Sequence, residues 1–411
     1  MNHSVLASVL LSYQPVWSAA RQLAAVRLRV QTLPQAAINA SHLLELLGND
    51  WPAAAPVLIV ALDAPALLQQ ALACAPVHNT WLEVPHALFQ NPDTQARLAL
   101  AARSGHRLLR QTDLAHAGSE DSLPVPARGL LQLRPQDADE LLHAAAVGAP
   151  PPHPAWLAGH LLAGVSTQAL AAHCLDRAAA WGLLGWPEND VLHAHRQQTM
   201  GCAADVIAQI RQAIEAESSL EHLERLVRQD PVLAYRLLLL VNSAAYGLRH
   251  EVGSLRHALM MLGFSALERW LQDQLPGSEA NPDLHPVRYA MVMRARLAQH
   301  LLEPGSEDNL RAEVFLTALF SQLDRLLCRP LAELLDQLPL SSRVFDALLR
   351  NSGPYGRLLE VARLQGDPEQ AYRLPEVCEQ LGIGLEHGNR ALLRMLATSR
   401  DYASPRSQRL L

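Results

Sequence analysis

The sequence predicts an α/β domain followed by an all-α domain, and three observations carry that expectation. Over residues 1–190 short β-like runs alternate with helical runs, which implies a parallel sheet. From about residue 195 to 400 strand signals nearly vanish, and leucine-rich helical patterns separated by proline and glycine take over. The chain, at 411 residues, is also too long for one ordinary domain.

In the first part Val5–Tyr13, Val26–Val30, Val57–Leu62 and Thr80–Val84 read as strands. Ala36–Leu47, Ala64–Ala73 and Pro92–Ser104 read as helices between them. The opening MNHSVLASVLLSYQP has an apolar run with no basic residue ahead of it, so it reads as a first strand rather than a signal peptide. His116–Pro126 and Val147–Pro154, rich in Gly, Ser and Pro, read as loops, and Pro276–His285 as a break among helices. No repeat of 20–50 residues is visible.

The second part is most strongly punctuated from Asp230 to Gly263. Asp230 can cap a helix whose first position is Pro231, where a missing N–H costs nothing. Val232 to Val241 is then nearly all apolar, the mark of a buried helix. Asn242 and Ser243 break it, and Gly247 suits a left-handed turn. Ser254 restarts a helix with Leu255, Ala258, Leu259 and Leu262 on one face; Gly263 stops it, and Ser265 caps a third helix bearing Leu267 and Trp270.

Composition excludes several function classes. Every one of the 34 basic residues is arginine, so no lysine can serve a Walker-A loop, a Schiff base or general-base chemistry. A net charge of −6 offers no electrostatic footprint for nucleic acid. The five cysteines are scattered and without CxxC spacing, which argues for reduced thiols in a cytoplasmic protein and against zinc. No apolar run approaches the ~20 residues of a membrane span.

Asp230-Pro231, then Leu-Leu-x-x-Val241-Asn242-Ser243, Tyr246-Gly247 and Ser254-Leu255-x-x-Ala258-Leu259-x-x-Leu262-Gly263 resemble the core signature of the HDOD domain. That is an all-helical signalling module related to the HD phosphohydrolases but without their chemistry. The first domain resembles EAL domains, barrel-shaped phosphodiesterases that cleave the bacterial messenger cyclic di-GMP. Tyr13-Gln14-Pro15-Val16, Val57–Val60, Trp81-Leu82-Glu83-Val84, Ser104-Gly105-His106, Leu161–Thr167 and Trp181–Pro187 fall in that family's order. The resemblance implies a TIM-barrel-like fold for residues 1–190, with Ala117–Pro154 poorly matched and the completeness of the barrel left open. Residues 195–400 are then the HDOD domain.

The same resemblance implies a dismantled centre. Hydrolysis of this kind needs two divalent metals held by carboxylates and an Asn. The family's namesake Glu falls near Val26 or Arg27, the Asn near Val60 or Ala61, and the paired aspartates near Gln111 and Thr112 with only Asp113 adjacent. The late glutamates fall at Gly164 and Ser166, and the Gln before the closing Gly at Trp181, leaving Glu83 alone. In the second domain Ser321 and Gln322 stand where HD enzymes carry their metal-binding His-Asp pair.

Asn242-Ser243 is the distinctive polar pair, read either as a partner-binding determinant or as a helix stop that satisfies backbone groups. His193-x-His195 lacks nearby further ligands and reads as surface. Gly382-x-Gly384-x-x-x-Gly388 follows a helix, so it reads as a C-cap rather than a dinucleotide fingerprint. A helix-turn-helix reading of residues 219–272 meets an apolar recognition helix whose Met260-Met261-Leu262 end should be buried.

The expectation is therefore a cytoplasmic, non-catalytic signalling regulator acting on other signalling proteins, without cofactor, catalytic or metal residues. Nucleic acid and membrane are not expected partners, and homo-oligomerisation stays open. The alternatives are residual cyclic di-GMP binding or cleavage, and a DNA-binding regulator.

Overall fold

Eight strands close into a barrel in a computed structural model that describes residues 4–34, 38–117, 125, 127–146, 157–243, 252–303 and 305–399. The strands are β1 Val9–Trp17, β2 Leu23–Thr32, β3 Val57–Leu62, β4 Thr80–Pro85, β5 Arg107–Asp113, β6 Arg128–Gln132, β7 Leu161–Ala163 and β8 Gly182–Leu184. β1 runs antiparallel to both β2 and β8, and every other neighbouring pair is parallel. Helices Ala40–Asp50, Pro65–Ala73, Pro92–Arg103 and Pro135–Ala146 supply crossovers between the parallel strands.

Closure completes the barrel, a point the sequence leaves open. β6 lies inside the poorly matched stretch, because Arg-Gly-Leu-Leu-Gln is short and carries a glycine at its second position. That glycine is needed for close approach. A Cβ on Gly129 would stand 3.0 Å from His160 Nδ1, which accepts the Gly129 N–H at the same distance. The first strand also differs from Val5–Tyr13: Val5–Ala7 is a 3₁₀ turn capped by Ser4, and the strand starts at Val9. The loop expected at Val147–Pro154 and Gly247 lie outside the described residues, as does most of His116–Pro126.

One interior layer contains Val16, Ala25, Ile59, Trp81, Leu109 and Leu130, one from each of six strands. Since side chains alternate faces along a strand, Gln14, two residues before Val16, and Arg27 and Glu83, two residues after Ala25 and Trp81, point to the same interior.

The described residues divide into two compact units, one of Met1–Asp190 with Leu364–Ala403, the other of Val191–Arg363. The second domain therefore does not run unbroken to residue 400 as expected. The helix Leu385–Ala397 belongs with the barrel because of one fully buried amide. Asn389 Nδ2 donates to the Leu6 and Val9 carbonyls, 2.8 Å each, and its Oδ1 accepts the Leu11 N–H at 3.2 Å. Gln365 Nε2 adds a bond to the Gly388 carbonyl.

The other unit is helical among its described residues. Its helices include Ala204–Glu215, Leu220–Val227, Pro231–Val241, Leu255–Leu262, Phe264–Gln274, Leu284–His300, Asp308–Phe320, Ser342–Arg350 and Gly353–Gln365. Asp230 caps Pro231–Val241 through the Val232 N–H, and eight residues of that helix are buried. Ser254 caps the next helix. Ser265 caps nothing: the following helix begins at Phe264 with Gly263 at its N-cap. Only Leu262 of the expected buried end is covered, while Met260 and Met261 are 63% and 45% exposed. They fall off the Leu255–Ala258–Leu259–Leu262 face, and the helical period prevails over residue type.

Candidate functional site

The barrel interior holds a salt bridge where the family resemblance places metals. Arg27 Nε and Nη2 each lie 2.7 Å from a Glu83 oxygen, a two-point clasp, and Nη1 donates to Gln14 Oε1 at 2.9 Å. β2 sets Arg27 opposite Gln14 of β1, and β4 brings Glu83 across. The Glu83 side chain is 5% exposed and that of Arg27 15%. Planar guanidinium and carboxylate match in this geometry, and one occupies the other's lone pairs. Glu83 is thus a buried, neutralised carboxylate. The residue standing near the expected acid is its cationic partner.

Two residues on, Arg29 holds Asp63 at 3.0–3.1 Å. At the end of β5, His116 donates to Asp113 from its backbone N–H, and its Nδ1 lies 2.6 Å from the same oxygen. Burial alone would raise the Asp113 carboxyl, but the bonds and charge from His116 and the charge of Arg134 outweigh it and hold it low. His86, 5.1 Å from the His116 ring, is lowered by burial first and then by Arg110 and His116. Among the described residues no group of three or more His, Cys, Asp or Glu side chains is arranged to hold a metal ion.

Two other positions singled out by the resemblance have distinct packing. Gly164 has φ +82°, and a Cβ there would stand 2.4 Å from the Leu133 carbonyl, so the backbone admits no side chain. Trp181 stacks on Trp81 at 5.2 Å, and the Arg128 guanidinium lies over both rings at 4.8–5.0 Å. Burial, then the charge of Arg107, pushes Arg128 down from its ordinary value.

In the helical unit Ser321 and Gln322 border an open cavity of about 500 Å³. Arg294, Asn351, Glu360 and Arg363 complete its polar wall, with Gly356 and Leu359 beside them. Arg363 clasps Glu360 through Nε and Nη2 at 2.9 and 3.0 Å, and Ser321 Oγ donates to the Ala318 carbonyl. Sequence reasoning found Ser321 and Gln322 but not the rest. The Asn351-Ser-Gly353 helix end and the two arginines were the available signal.

Asn242 closes a backbone clasp: Nδ2 donates to the Leu238 and Val252 carbonyls at 2.8 and 2.9 Å, and Oδ1 accepts the Val252 N–H at 2.8 Å. Ser243 Oγ donates to Leu240. His195 is not on the surface as expected: its side chain is 9% exposed, and its Nε2 lies 3.6 Å from Glu279.

Residues 200–334 match the family described as HDOD domain, so the helical unit carries an HDOD domain. The chain is 28% identical over 191 residues to the cyclic di-GMP phosphodiesterase CdgJ of Vibrio cholerae, covering 46% of this chain and 44% of that one. It is equally identical over 151 residues to the uncharacterized protein YuxH of Bacillus subtilis, covering 36% and 37%. Each alignment spans less than half the relative's length. The MmoQ response regulator of Methylococcus capsulatus aligns in structure at 21% identity and TM-score 0.40, over 48% of this chain and 98% of that one. No helix of the described residues is long and apolar enough to cross a membrane.

Proposed function

We propose that this protein is a non-catalytic regulator in cyclic di-GMP signalling, built from a degenerate EAL-like barrel and an HDOD domain, and that it works by binding other signalling proteins. The observation that carries the reading is the Arg27–Glu83–Gln14 cluster. A guanidinium already fills the coordination sphere of the carboxylate that a metal pair would need. Gly164 supports it, since a glutamate there would meet the Leu133 carbonyl. The link to cyclic di-GMP rests on the resemblance to a phosphodiesterase of that messenger. The interaction part is supported by exposed Met260, Met261 and Phe264, flanked by exposed Arg256, His257 and Arg269. Such a surface suits a partner protein whose apolar face is bordered by carboxylates.

The test is incubation of the full chain with cyclic di-GMP and Mn²⁺ or Mg²⁺, followed by chromatography. No linear dinucleotide is expected. Turnover that disappears on Glu83→Gln would overturn the reading.

A further inference from the structure

We propose that the cavity beside Ser321 and Gln322 binds a small organic phosphate of mononucleotide size. This does not depend on the barrel being inactive. Four separate segments build the wall: Arg294 from Leu284–His300, Ser321 and Gln322 from the end of Asp308–Phe320, Asn351 from the left-handed end of Ser342–Arg350, and Arg363 from Gly353–Gln365. The charged groups lining the cavity are two guanidiniums and one carboxylate, and amides from Gln322 and Asn351 add donors. Glu360 grips one edge of Arg363 at two points and so fixes the guanidinium plane, which lowers the cost of ordering it around a ligand. Guanidinium and amide donors around a cavity of about 500 Å³ match a phosphate ester, and the volume falls within the ordinary range for small-molecule sites. With serine and glutamine at the His-Asp positions, recognition here uses arginine in place of metal.

Isothermal titration of the full chain with 5′-GMP, 5′-AMP and inorganic phosphate tests this, with thermal unfolding run in parallel. At least one nucleotide should bind saturably below millimolar concentration. Arg363→Gln and Gln322→Ala should each weaken it about tenfold or more at an unchanged Tm. Leu359→Trp, which fills the cavity, should abolish it. Lack of saturation with all three probes, or affinity unmoved by all three substitutions, would overturn the proposal. Binding of inorganic phosphate alone would reduce the site to an anion contact and would also overturn it.

Discussion

Arg288 Nη1 lies 2.6 Å from Asp230 Oδ1, and the two side chains are 4% and 0% exposed. The carboxylate also accepts the Val232 and Ala203 N–H groups, while Arg288 Nη2 donates to the Gly201 carbonyl. One ion pair thus ties the segment around residues 201–203 to two helices of the HDOD domain. Removing one partner from such a pair leaves a buried charge, at a cost of about 3–5 kcal/mol. Asp230→Ala should therefore lower the stability of the helical unit by that order. The double variant Asp230→Leu/Arg288→Met should recover part of it. Urea unfolding of the single and double variants checks both outcomes.

The Asn242 clasp makes a second prediction. Its amide supplies two donors and one acceptor to backbone groups on both sides of residues 244–251. Asn242→Ala orphans the Val252 N–H and carbonyl, while the Leu238 carbonyl keeps the backbone N–H of residue 242, at about 1–3 kcal/mol per buried group. Asn242→Asp keeps the acceptor but sets a carboxylate against two carbonyls, and should be at least as costly. Calorimetry should show a lowered Tm in both variants, and the Val252 amide should exchange faster with deuterium.

Asn389 carries the third. Its three bonds hold Leu385–Ala397 against the first turn and first strand of the barrel, at zero exposure. Asn389→Leu, close in volume but without donors, should destabilise the barrel unit by at least about 2 kcal/mol. Protection of the Leu11 amide should fall. A chain ending at residue 363 should lose barrel stability as well, which near-UV circular dichroism from Trp17 and Trp81 would register.

How much of this was legible in the sequence follows from which forces are local. Pro231, Asp230 and Ser254 act within one turn, so their caps could be read directly. β3 was readable because Val57–Leu62 is a continuous buried apolar run. β6 was not, since its pairing depends on β5 and β7 rather than on its own five residues. Arg27 and Arg29 were visible at alternate positions of a strand, yet nothing in the sequence joins Arg27 to Glu83, which stands 56 residues away. Asn389 lies 378 residues from Leu11, so the return of the C-terminal segment to the barrel could only be seen in three dimensions.

The cysteines give a prediction with a defined pH sense. Burial pushes the Cys174 and Cys202 thiols up to about 12, with Asp230 adding to the effect at Cys202, and pushes Cys378 up to about 11, from an ordinary 9.0. Cys328 is exposed and Cys74 half-buried, and all five are free. Since the thiolate is the nucleophile, iodoacetamide at pH 8 should label Cys328 first and Cys74 next. The other three should react at least tenfold more slowly until the protein unfolds. Below pH 9 both folded and unfolded states keep these three protons, so the thiols make no pH-dependent contribution there. Above it only the unfolded chain releases them, and stability should fall between pH 9 and 12. Mass spectrometry of labelled peptides reads the order of reaction. A Cys174→Ala/Cys202→Ala/Cys378→Ala variant should show a shallower alkaline loss than the parent chain.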